Sequence, residues 1–139
     1  MPRTVVHPDK SHGTRLMPEN FIGRVTHHNI AADAGGSESF HLLAVYFDPG
    51  SRTRPHLHNF DQFVCFIEGP GIVAIDGGED QLVEVGGFVL LPANMPHMHG
   101  APDANGACHI TFGGRRLTDF GCPIPPQWQR YRVTSDSAS

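Results

Sequence analysis

Gly50-Ser51-Arg52-Thr53-Arg54-Pro55-His56-Leu57-His58-Asn59-Phe60-Asp61-Gln62 is the stretch on which the reading of this chain turns. Side chains of an extended strand alternate between its two faces, so His56 and His58 point one way and Leu57 the other. Gln62 follows after three intervening residues, at the start of the apolar run Phe63 to Ile67. A tight reversal there returns it toward the same centre. Much further along, Pro92-Ala93-Asn94-Met95-Pro96-His97 supplies a third imidazole after another turn. Three neutral imidazoles with one oxygen donor suit Zn, Fe, Ni, Mn or Cu, and leave positions open for water or substrate.

Outward from this stretch the chain reads as strand, turn, strand. Phe40 to Phe47 is rich in strand formers and ends at Asp48-Pro49-Gly50. Phe63 to Ile67 is closed by Gly69-Pro70-Gly71, and Ile72 to Ile75 runs into Asp76-Gly77-Gly78, a tight hairpin signal. Gln81 to Val85, Phe88 to Leu91, Met95 to His99 and Cys108 to Phe112 complete the set. Short strands at this spacing, with turn residues between them, predict an all-β sandwich or barrel. Leu117 to Val133, with Trp128 and Tyr131, adds a last strand or short helix on the outside.

The 139 residues suit one domain, and 16 glycines with 12 prolines favour turns over long helices. Net charge is −4 and the basic residues are scattered, which leaves no footprint for nucleic acid or an anionic membrane. No apolar run reaches spanning length, and Met1 to Lys10 lacks the apolar segment of a secretory signal. Cys65, Cys108 and Cys122 are odd in number and show no C-x-x-C spacing, an expectation of a reducing, cytoplasmic setting.

The order and spacing of these residues resemble the two motifs of the cupin family. The first, G-x5-H-x-H-x3-E-x6-G, is matched by Gly50, His56, His58 and Gly69, with Gln62 at the glutamate position. The second, G-x5-P-x-G-x2-H-x3-N, is matched by Gly86, Pro92 and His97, with Asn94 for the glycine and Ala101 for the asparagine. The resemblance implies a double-stranded β-helix (jelly-roll) barrel. It also implies one divalent transition metal per chain (Mn, Fe, Ni or Zn) on His56, His58, His97 and Gln62, and a homodimer with N-terminal strands crossing between subunits. The chain is accordingly divided into an arm (1–38), a barrel (39–116) and an extension (117–139) with a disordered end. The competing expectation is a barrel whose histidines are merely packed.

An amide at position 62 is neutral and cannot take up a proton as glutamate does. It leaves the charge of a dication uncompensated and favours an anionic ligand such as an enolate, carboxylate or alkoxide. Alternatively, Gln62 orients a metal-bound water. The same His-His-Gln-His set is similar to that of manganese-dependent cupin hydroxynitrile lyases and of small cupins acting on unsaturated uronates, while quercetin dioxygenase-like cupins share the barrel. Gly50 to Thr53 and His97 to Ala101 resemble the hydroxynitrile lyases, and Asn59-Phe60-Asp61 departs from them.

Parity extends the candidate list. His99 shares a face with His97, as a general base or as a residue of the barrel rim. Arg54 shares one with His56, as a partner for a substrate carboxylate or as a surface residue. Val64 and Phe66, in phase with Gln62, and Met95 serve as apolar pocket walls or as core. His109 and Thr111 line the cavity from a later strand, and His7, His12, His27, His28 and His41 are surface or structural. The function expected is a metal-dependent enzyme on a small anionic or enolisable oxygenated substrate, dioxygenase-like, lyase-like or isomerase-like. The alternative is a non-catalytic small-molecule-binding module.

Overall fold

The computed structural model describes residues 5–114 and 118–132. Along Gln62–Glu68, Gln62, Val64 and Phe66 are buried while Phe63 and Ile67 are exposed. On Ala107–Gly114, His109 and Thr111 point inward and Phe112 outward. Strands with one buried face need a second sheet to cover it, and the chain supplies one.

The first sheet has six strands in the order Thr14–Arg15, Val25–Asn29, Phe40–Phe47, Ala107–Gly114, Gln62–Glu68 and Phe88–Leu91. The second has five, in the order Phe21–Ile22, Arg52–Thr53, His97–Gly100, Gly71–Ile75 and Gln81–Val83. Thr118–Asp119 pairs separately with Leu57–His58. Neighbouring strands are antiparallel throughout. Val25, Phe47, Val64, Phe66, Val73 and Leu91 fill the space between the sheets. This is the all-β architecture that the strand spacing predicts and the jelly roll that the resemblance implies.

Local chemistry explains the joins. Asp76 and Gly77 both have positive φ (50° and 81°), and the Gly78 amide donates to Ile75 O at 2.9 Å, closing the predicted hairpin. Gly71 packs flat on the Phe66 ring, where a Cβ would overlap ring atoms. Asn94, where the motif has glycine, adopts φ 63°, the left-handed conformation that asparagine tolerates better than most residues. The substitution therefore preserves the turn that presents His97.

Two expectations need revision. The segment read as an arm is built into the sheets of its own chain from residue 14 onward, and Val25 lies in the core at 1 % exposure. Val25–Asn29 holds one apolar residue among five, so pairing with Phe40–Phe47, not local pattern, makes it a strand. The expected strand from Met95 is His97–Gly100, because Pro92 to Met95 form the turn. Beyond residue 118, a 3-10 helix at Pro126–Tyr131 packs Trp128 against Ala74 and Met98 on the outer face of the second sheet. The expected disordered end falls outside the described residues. Among those described, no helix is long and apolar enough to cross a membrane.

Candidate metal centre

The two histidine segments, distant in sequence, are fastened directly to each other. His56 N–H donates to His97 O at 3.1 Å and His97 N–H to His56 O at 2.9 Å. The Asn94 amide donates to His58 O at 2.7 Å, holding the intervening turn against the same segment. All three rings are buried, with centroids 4.4 Å (His56–His97), 5.1 Å (His56–His58) and 5.2 Å (His58–His97) apart.

The far side of each ring is anchored. His56 Nδ1 lies 2.8 Å from Arg54 O and His97 Nδ1 3.0 Å from Met95 O. A carbonyl only accepts, so both Nδ1 atoms carry the proton and both Nε2 atoms the lone pair, the tautomer a metal requires. His58 Nδ1 is 3.0 Å from the Thr118 hydroxyl. Gln62, at 2 % exposure, donates its amide N–H to Thr111 Oγ1, while its Oε1 is buried without a hydrogen-bond partner. A buried, unsatisfied carbonyl beside inward-facing imidazoles costs free energy that a cation would recover. The residues present thus fit a divalent metal, through imidazole nitrogens and one amide oxygen.

A fourth imidazole joins them. His99 is buried, with Nδ1 2.9 Å from His109 Nε2 and Nε2 without a partner. Nitrogens of His56, His97 and His99 lie within 4.8 Å of one another, so His99 competes with His58 for the third position around a cation. Burial, and then the neighbouring His109 and His56 rings, hold His99 well below the usual imidazole range. Burial pushes His109 down to about 3. Both rings are neutral at ordinary pH. A second grouping, His12, His28 and Asp33, has a different character. There the Asp9 amide donates to His28 Nδ1 at 3.1 Å, so His28 Nε2 carries the proton given to Asp33 at 2.8 Å.

His56, His58, Gln62, His99, His109 and Thr111 line a cavity of about 280 Å³ whose remaining walls are largely apolar. Four sequence candidates lie elsewhere. Arg54 donates from Nη1 to Tyr131 O at 3.2 Å and lines a separate cavity, because the Arg52–Thr53 strand ends before it and Pro55 breaks the alternation. Val64 and Phe66 are core residues at 0 % exposure, outside the cavity lining. Met95 sits in the turn and serves through its carbonyl. His27, read as surface or structural, lines the cavity, where burial lowers its pKa.

Sequence reasoning missed Leu43, Val45, Phe120 and Thr118. Alternation along Phe40–Phe47 carries a signal for the first two. Phe120, whose ring lies 4.9 Å from that of His56, sits in an irregular segment with none.

Comparison with known proteins follows this geometry closely. The cupin domain family matches residues 43–113. No curated protein matches the sequence. Among solved structures, a cupin-like protein from Thermotoga maritima is 23% identical, covering 87% of this chain and 94% of its own, with a TM-score of 0.67. The polyketide cyclase RemF from Streptomyces resistomycificus is 15% identical, covering 90% and 91%, with a TM-score of 0.71. KdgF from Halomonas sp. is 20% identical, covering 76% and 88%, with a TM-score of 0.60. At these identities the likeness establishes the fold.

Proposed function

Because the chain belongs to the cupin domain family, we propose that it is a metal-dependent enzyme moving a proton on a small, oxygenated, enolisable or anionic substrate, in a lyase-type or isomerase-type reaction. The observation that carries this reading is that a neutral amide, Gln62, and a buried neutral His99–His109 couple line one cavity. His56, His58, His97 and the Gln62 oxygen would hold the cation. When bound, a divalent metal would supply Lewis acidity, stabilising negative charge that develops on a substrate oxygen.

The rest falls to the protein's own side chains. His99 Nε2 takes a proton from one substrate atom and returns it, to a second substrate atom in an isomerisation or to the departing group in a lyase step. This role requires the tautomer in which His99 Nδ1–H donates to His109 Nε2, 2.9 Å away, so that the lone pair stays on Nε2. Gln62, unlike a glutamate, does not compete for that proton. Phe21, Leu43, Val45 and Phe120 exclude water and select a compact organic body. Arg54, facing a separate cavity, takes no part.

Metal analysis of the purified protein, followed by assays with Mn, Fe, Ni and Zn under air and under nitrogen, tests the proposal. Enolisable, phenolic and cyanohydrin compounds form the substrate panel. Turnover unchanged without oxygen is the expected result. Oxygen-dependent turnover overturns the reading in favour of a dioxygenase, and a metal-loaded but inert protein in favour of a binding module.

A further inference from the structure

We infer that the cavity beside Arg54 and Arg132 is a second binding site, separate from the metal centre, for a small organic oxyanion carrying a phosphate or carboxylate group. The cavity measures about 360 Å³, room for a compact molecule of this class. Asn20 and Phe120 line both this cavity and the one beside the metal ligands, and stand between them. The Phe120 ring lies against His56, with centroids 4.9 Å apart, which sets the partition directly beside a metal ligand. The occupant is thus a ligand in its own right, and the inference does not depend on the proton chemistry next door.

Charge selects the ligand. Arg52, two residues before Arg54, shows how a guanidinium is normally neutralised here: its Nη1 and Nη2 donate to the two oxygens of Asp80 at 3.0 and 2.8 Å. Arg54 and Arg132 have no such partner. Arg54 gives Nη1 to Tyr131 O at 3.2 Å, and Arg132 gives Nη2 to Cys122 O. Among the described residues, no carboxylate lies within ion-pair distance of either. Both side chains are half-buried, and the Nε of each is buried without a hydrogen-bond partner. Two partly desolvated cations lining one cavity repel each other, and an oxyanion between them relieves both costs. The flat guanidinium fork matches phosphate or carboxylate through paired N–H···O bonds. Glu19, the one carboxylate on the described lining, is exposed and leaves the pair unneutralised.

The site is held in place by main chain from three distant segments. Arg54 N–H donates to Asn20 O at 2.9 Å, and Arg132 N–H to Gln129 O at 3.1 Å, at the end of the 3-10 helix. The bond from Arg54 to Tyr131 O joins those segments to each other. Both cations are therefore positioned before a ligand arrives, which lowers the ordering cost of binding. Pro55 and Phe120 give the cavity apolar surface for the ligand's carbon skeleton.

Isothermal titration calorimetry of the purified protein at low ionic strength, with inorganic phosphate and with succinate, is the test. Saturable binding of either at one site per chain is expected, and the tighter of the two identifies the group that the ligand carries. Arg54→Gln and Arg132→Gln should each weaken that binding by at least about tenfold, the loss of a charge-assisted contact. Glu19→Gln, at an exposed position, removes a repelling charge and should tighten it about threefold, a gain that no folding defect produces. His97→Ala, which depletes the metal, should leave the anion's affinity unchanged. A wild type that binds neither probe up to about 10 mM overturns the inference, as does binding that survives both arginine substitutions. Binding lost in His97→Ala but kept in the arginine variants places the anion on the metal and overturns it too.

Discussion

Thr111→Val is the substitution that interrogates the centre with least disturbance to its shape. Thr111 is 2% exposed and its hydroxyl accepts the amide N–H of Gln62, whose oxygen is buried without a hydrogen-bond partner in the same cavity lining as His56 and His58. Valine keeps the volume and deletes the acceptor. One buried N–H then has no partner, which should cost the metal-free protein about 1–3 kcal/mol in urea unfolding. The amide is also free to rotate, so its oxygen is no longer held toward the cation position. Loss of such an outer hydrogen bond typically lowers metal affinity by about 10–100-fold. A competition titration against a chelator of known affinity reads this directly. Thr111→Ser separates the two effects: it loses a methyl group, costing about 1 kcal/mol of stability, but retains the acceptor and should bind metal as the wild type does. If Thr111→Val is destabilised yet binds metal normally, Gln62 is not oriented toward a cation by Thr111, and the argument from its buried oxygen fails.

Two further outcomes are expected. His97→Ala should deplete the metal content of the purified protein far more than Gln62→Ala, and His58→Ala more than His99→Ala; equal losses within the first pair would reverse the ranking of the donors, and a reversed second pair would make His99 the third ligand. Acid should also weaken the metal-free fold. With folded His109 at about 3 against an ordinary 6.5, the unfolded chain binds the proton first as pH falls. Stability should therefore drop through that window by about 1.4 kcal/mol per pH unit for this ring, and His109→Gln should flatten the slope; an unchanged slope means the ring does not hold out against protonation.

The parts of this molecule readable from sequence are those written in local spacing. His56 and His58 two apart, His97 after a proline turn and Asp76-Gly77 between two apolar runs each state their geometry within a few residues. Val25–Asn29 does not, since its strand conformation is imposed by Phe40–Phe47 alongside. Arg54 misled because parity holds only while the strand is unbroken, and Pro55 breaks it. Val64 and Phe66 misled differently: inward position is shared by core and cavity, and only tertiary placement separates them. The exposure of Phe63 and Ile67 is not legible because Phe63 to Ile67 is apolar on both sides, so the run offers no contrast between inside and outside.

The reciprocal backbone bonds between His56 and His97 carry a last implication. A chelating cage already knotted by main chain owes none of its assembly to the guest. The fold then forms before a cation enters and gains stability when it binds, unlike a zinc finger that collapses only around its ion. Imidazole donors suit several first-row dications, whose affinities follow a common intrinsic order. Cellular supply, more than the polypeptide, would decide which element resides there.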